Sequence, residues 1–314
     1  MNAPHSESPA DTLPSGVTTL SHLGVIQISG EDAAKFIHGQ LTQDFSLLGQ
    51  DQARLAAFCS AKGRMQASFV GFKRPNGDIL LVCSRDLLPA TLKRLSMFVL
   101  RAKAKLTDAS AQFALYGLAG DATKKVAGGA HSTWAKADFD GYSVITLHPA
   151  VGVERQLLVA PAGGPPPEGN GLPLEVWQWG EVRSAVAMLT TPVVEAFVPQ
   201  MLNYESVGGV NFKKGCYPGQ EVVARSQFRG TLKRRAYIVH ADKPLPVGAE
   251  VYHSSDASQP NGTVAAAAAN PGGGWEGIAC LQISAAGQGT LHLGSPDGEQ
   301  VTLCPLPYFL VEDV

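Results

Sequence analysis

Nowhere in the 314 residues does an apolar run approach the length of about 20 that a membrane-crossing helix requires. The start, residues 1–16, has no basic cluster and no apolar core, and carries three prolines among polar residues. It is expected to be a loose arm, neither a secretion signal nor an anchor, which makes cytoplasmic the default location. Cysteine is sparse and scattered. Cys59, Cys83, Cys216, Cys280 and Cys304 are odd in number and none lies at metal-clip spacing from another, so neither a disulfide framework nor a metal site is indicated. Charge is low as well, at 17% of residues with a formal net charge of −2, so the chain has no global attraction for nucleic acid or acidic membranes. With 45% hydrophobic residues it reads as an ordinary globular chain, long enough for two or three compact units.

The order of elements is read from periodicity and turn residues. Val17 to Ile28 is a strand-like run, and Ala33, Phe36 and Ile37 give the next stretch a helical apolar face that ends near Gly39. Strands are expected at Leu55–Cys59 and Met65–Phe72, and a hairpin at Pro75-Asn76-Gly77 leads back onto Ile79–Val82. Leu88, Leu92, Leu95 and Val99 then predict a helix over 85–100. A second round of strands, at 113–116, 142–145 and 156–159, is followed by a helix over 174–189 that carries Trp177 and Trp179. Strands and then a helix, twice, predict two related α+β halves. From 231 onward, short strands broken by Pro and Gly predict a small barrel or sandwich. The predicted division is an arm at 1–16, halves at 17–105 and 106–230, and a C-terminal unit at 231–314.

One stretch concentrates chemistry. Lys213-Lys214-Gly215-Cys216-Tyr217-Pro218-Gly219-Gln220-Glu221 cannot be helix or strand interior, because Gly215, Pro218 and Gly219 punctuate it. It is a shaped loop opening a short helix over 220–225, whose N-terminal amides favour an anion or a thiolate. Cys216 alone among the cysteines has polar, glycine-rich neighbours, which marks it as a candidate functional thiol, nucleophilic or redox-active. From Lys213 to Arg235 lie seven basic residues and one acidic residue, Glu221, so Lys213, Lys214, Arg225 and Arg229 with their neighbours are candidate anion contacts. An anionic small molecule and nucleic acid phosphate suit that charge equally.

Pro199–Asn203 and Gly208–Arg225, with Gly39–Asp44, Ala61–Met65 and Pro305–Tyr308, resemble the signature of the YgfZ family. These are folate-binding relatives of the T-protein, the aminomethyltransferase of the glycine cleavage system. The resemblance spans nearly the whole chain. It implies two ferredoxin-like halves arranged with a C-terminal β-barrel as a ring around a central channel. That channel is expected to hold tetrahydrofolate or a one-carbon derivative, with Trp177, Leu23, Tyr217, Gln220 and Glu221 at the folate site. The resemblance also places Gly39–Asp44 near the ligand and the Cys216 loop at the edge of the site.

Where T-proteins carry an aspartate pair needed for aminomethyl transfer, this chain has Ala67-Ser68, neither of which can exchange a proton near neutral pH. Asp44 and Glu221 are the substitutes the sequence offers. Some relatives also have a tryptophan where Leu23 stands. The expectation is therefore a folate-binding accessory protein that supports iron–sulfur enzymes, including tRNA-modifying ones, with assembly proteins or client enzymes as partners and no stably bound metal. A folate-dependent one-carbon transferase and an RNA-binding module contacting tRNA weakly through residues 213–235 are the alternatives.

Overall fold

The computed structural model of the protein describes residues 12–127, 131–230 and 232–311, so most of the expected arm at 1–16 lies outside the described residues. The first part of the chain runs β1 Gly16–Thr19, β2 Leu23–Ser29, α1 Ala33–His38, β3 Ala53–Cys59, β4 Met65–Lys73, β5 Ile79–Ser84, α2 Leu88–Ser96 and β6 Lys105–Asp108. The second part runs β7 Phe113–Ala119, α3 Asp121–Ala127, β8 Lys136–Phe139, β9 Tyr142–Thr146, β10 Arg155–Pro161, α4 Leu174–Arg183 and α5 Gln220–Phe228. The third is all strand: β11 Arg234–Ala241, β12 Glu250–His253, β13 Gly262–Ala269, β14 Trp275–Gln282, β15 Leu291–Leu293 and β16 Gln300–Cys304.

These strands form two five-stranded antiparallel sheets, ordered β3-β4-β5-β2-β6 and β1-β7-β10-β9-β8, and a closed barrel ordered β11-β14-β13-β12-β15-β16. The architecture is α+β with a C-terminal barrel, as the sequence implies. The run from Val17 to Ile28 is not one strand. It breaks at a turn in which the Leu23 amide bonds the Leu20 carbonyl, and its two pieces enter different sheets. β1 pairs with β7, Val17 opposite Leu118, whereas β2 pairs with β5, Val25 opposite Val82. The start of the chain therefore crosses to the second sheet before the first is built.

Both long helices are shorter than their apolar periodicity suggests. α2 begins beside Pro89, which lacks the amide an interior position needs, and it ends in tight turns where Met97, Phe98 and Val99 bond carbonyls three residues back. α4 stops at Arg183 because the Ser184 hydroxyl caps the Glu181 carbonyl and Ala185 turns left-handed at φ 54°.

α4 is the hinge of the arrangement. Trp179 and Arg183, four residues apart, face the barrel and reach Glu276 on β14: the indole N–H donates to Oε2 at 2.7 Å, and the guanidinium lies 3.4 Å from Oε1. Trp177 and Glu181 occupy a second face, toward the sheets. Asn203, at φ 57°, exchanges two hydrogen bonds with the backbone of Ala236 and so fixes the preceding 3₁₀ turn to β11. Tyr308 donates to the Ala185 carbonyl and ties the C-terminal segment back to the end of α4.

Candidate functional site

Between the two sheets and α4 lies a narrow, largely apolar recess. Its first wall is a register row, Leu55 opposite Val70 and Val70 opposite Val82, joined by Leu23 from the next strand. Strand alternation puts all these aliphatic side chains on one face. The opposite wall comes from Trp134, Leu147, His148, Arg155 and Leu157 of the second half, and α4 closes one end with Trp177 and Glu181. A neighbouring recess toward the barrel shares Leu23, Glu181, Val186 and Met188 with it, so the two lie side by side along α4.

The polar groups of this recess are few and unusually placed. Arg155 opens β10, is 2% exposed, and has no hydrogen-bond partner for its Nε among the described residues. Burial pushes the guanidinium down to about 10, opposed by the Glu181 charge, so it remains a cation at neutral pH. Its flat face lies 4.3 Å above the Trp177 ring. The Trp177 N–H donates to Glu181 Oε1 at 2.9 Å, and His22 Nε2 stands 3.4 Å from the same oxygen, too skewed to count as a hydrogen bond. Burial would raise the Glu181 carboxyl, but His22, Arg155 and the indole N–H outweigh it and hold the group below its ordinary value. His148 is pushed down chiefly by burial, with Arg155 adding to the effect. The recess therefore holds a buried cation with an unpartnered Nε and a partly exposed, ionised carboxylate against an apolar wall.

Leu23 lines both recesses. Trp177 lines the first but is 0% exposed. Arg155 covers its ring on one side, and a Cβ placed on Gly117 would sit 2.7 Å from the ring carbons, so β7 itself runs against the indole. The ring has no open face for stacking. It holds Glu181 and Arg155 in place.

The signature loop lies elsewhere, and none of residues 213–221 lines the recess. Lys214 is buried: its amine donates to the His38 and Leu41 carbonyls at 2.6 and 2.9 Å and lies 4.6 Å from the centre of the Tyr217 ring. Desolvation pushes it down to about 8, although Asp44 and Cys216 favour its charge. Tyr217 is buried too, and burial raises its phenol. Gly219, at φ 79°, starts α5 with its backbone against Ser60 and Gly63, where a Cβ would lie 2.4 Å from the Ser60 carbonyl. Gly215 sits beside His38, and Gln220 is half-buried at the start of α5. Glu221 pairs with Arg225 at 2.7 Å on the surface. Cys216 is the exposed thiol.

The basic run is divided. Lys214 and Arg235 turn inward, Arg235 bonding Glu205 and the Val311 carbonyl, while Lys213, Arg229, Lys233 and Arg234 stay toward the surface. Gly39–Asp44 ties α1 to β3 and to the 208–209 turn. Thr42 bonds the Gly209 carbonyl and the Ala57 amide, Gln43 bonds the Gly208 carbonyl, and Asp44 meets His38 at 3.1 Å. Ser68 is likewise occupied, its hydroxyl accepting the Leu189 amide at 2.8 Å. Cys59, Cys83 and Cys280 are core thiols pushed up to about 12 by burial, whereas Cys304 is only half-buried. Among the described residues no group of three metal-ligating side chains converges, and no helix is long and apolar enough to cross a membrane.

Sequence reasoning missed Arg155, Glu181, His22 and His148. Glu181 stands four residues after Trp177 on one helix face, a spacing that could have found it. Arg155, the lone charge at the head of an apolar strand, carried a weaker signal.

Comparison with known proteins agrees with this geometry. A scan against protein-family models finds no match. The solved glycine cleavage system aminomethyltransferase T from Bartonella henselae superposes over 96% of this chain and 88% of its own, with a TM-score of 0.66 at 14% identity, a likeness of fold. The tRNA-modifying protein YgfZ of Edwardsiella ictaluri is 29% identical over 98% of each chain. That of Hamiltonella defensa is 32% identical over 245 residues, 73% of this chain and 71% of the relative, and on that similarity the chain belongs to the YgfZ family.

Proposed function

We propose that this protein binds a folate in the recess between its sheets and acts as an accessory to tRNA modification, sustaining the iron–sulfur enzymes that carry it out. The carrying observation is the buried Arg155, whose Nε has no partner among the described residues, beside the partly exposed, ionised Glu181 at the end of an aliphatic wall. A buried arginine with an unpartnered Nε costs stability unless something supplies the missing acceptor. The 2-amino-4-oxopyrimidine edge of a pterin offers N–H donors suited to Glu181 and an oxygen acceptor suited to Arg155. Leu23, Leu55, Val70 and Val82 would cover the flat ring. The folate supplies a one-carbon carrier at its N5 and N10 nitrogens. Trp177 acts by positioning the two charged groups.

The tRNA connection rests on the names of the relatives, and the iron–sulfur role on the family resemblance. The exposed Cys216 thiol, outside the recess, suits contact with a partner macromolecule better than contact with the bound folate. One-carbon transfer is the lesser reading, because Ala67 and the bonded Ser68 stand where T-proteins place carboxylates, and neither Asp44 nor Glu221 reaches the recess.

Calorimetric titration with 5-formyltetrahydrofolate tests the proposal. Saturable binding is expected, weakened about tenfold or more in Glu181→Gln and in Arg155→Gln, since each removes a charge-assisted hydrogen bond. Undetectable binding, or equal affinity in all three proteins, would sink it.

A further inference from the structure

On the outer face of the first half, away from the recess, α2 and the β3–β4 hairpin border an open groove of about 810 Å³, counted to its mouth. Its floor is apolar, with the buried Phe58 and Leu87, and Met97 and Val194 are exposed in its lining. Met97 is 68% exposed, and Leu100 just beyond it is 86% exposed, in a chain whose other large aliphatic groups are mostly covered. Basic residues surround them. From Lys93 to Lys105 the sequence has five lysines and arginines and no acid. Lys103 pairs with Glu31, while Lys93 and Arg94 stand exposed on the groove's lining and Arg101 is exposed a few residues beyond Met97. The acid on the far rim, Glu195, accepts the Gln66 amide at 2.6 Å, which turns Gln66 Oε1 into a buried acceptor with no hydrogen-bond partner.

We propose that this groove docks an amphipathic segment of a partner protein, with apolar side chains entering over Phe58 and acidic residues facing Lys93 and Arg94. The unpartnered Gln66 oxygen would accept a backbone N–H of that segment. Charge complementarity selects an acidic peptide. RNA would need stacking faces, and the one exposed aromatic ring here, Phe98, stands edge-on to Phe58 at 6.4 Å. A membrane surface would need a protruding apolar face, whereas this one is concave. The placement gives the docked segment a purpose. Phe58 and Gln66 lie on the hairpin whose turn, Ser60 to Gly63, receives Gly219 and Val222, so the groove sits about 7 Å of strand from the base of the Cys216 loop. A protein held there presents its own surface to that thiol. This inference is independent of what the recess binds.

The test is fluorescence anisotropy with a labelled 14-residue helical peptide carrying Leu and Phe at i, i+3, i+4 and i+7 and Glu elsewhere. It is run beside a 14-nucleotide oligouridylate and vesicles of phosphatidylcholine with phosphatidylserine. Saturable peptide binding is expected, weakened tenfold or more in Met97→Glu and in the double variant Lys93→Glu, Arg94→Glu, and unchanged in Glu181→Gln. The substituted side chains are exposed, and thermal melts of the variants check their folding. Absent peptide binding, equal binding by the variants, or tighter binding of the RNA or the vesicles would overturn the inference.

Discussion

The recess and the signature loop handle charge in opposite ways. In the recess, Arg155 is removed from water with its Nε unpartnered among the described residues, beside a partly exposed Glu181, and Trp177 touches both. In the loop, the buried charge is engaged, with Lys214 donating to two carbonyls beside the Tyr217 ring, and the thiol, Cys216, is in solvent. A site prepared for a small ligand keeps buried polar groups waiting. A site prepared for a macromolecule spends its buried charge on shape and leaves its chemistry outside.

Four substitutions would break or sharpen that contrast. The largest effect is expected from Lys214→Met, which orphans the His38 and Leu41 carbonyls and should cost about 2–4 kcal/mol in chemical denaturation. Folate affinity measured below the transition should survive. Gly117→Val comes next. Its Cβ would drive into the Trp177 ring, so a loss of about 1–3 kcal/mol is expected, this time together with folate binding. Retained binding would show that the indole does not position the site.

Glu181→Gln should cost little stability but about tenfold in folate affinity. Because the folded Glu181 carboxyl is held below its unfolded value, its contribution is present above the ordinary carboxylate range and lost as pH falls through the folded value. Folate affinity should therefore stay level from about pH 8 to about pH 5 and decline below that, and a decline centred near neutrality would contradict the assignment. The smallest effect is expected from Cys216→Ser. Thermal midpoint and folate affinity should both match the wild type, since an exposed thiol makes no core contact.

How much of this was legible in the sequence depended on how local the cause was. The barrel strands were readable because Gly and Pro punctuate them, and the β3–β4–β5 hairpins because their turns are explicit. The crossing of β1 into the second sheet was not, since four residues of strand say nothing about which edge they join. The helix over 85–100 was overread because apolar spacing continues through Met97–Val99 after the backbone has left the helix. The basic run from Lys213 to Arg235 looked like one charged face. Which members turn inward, Lys214 toward His38 and Arg235 toward Glu205, is decided by contacts 30 or more residues away. Whether the Trp177 ring has an open face is also not legible locally, because it depends on β7 and β10 rather than on its own helix.

The separation of the two regions is the central claim, and alkylation of Cys216 by N-ethylmaleimide, followed by mass spectrometry of its peptide with and without saturating 5-formyltetrahydrofolate, tests it most directly. The expected result is one alkylation rate in both conditions, with calorimetry on the same sample showing the recess filled. Protection of Cys216 by several-fold on filling would contradict it, because the loop and the recess would then form a single site.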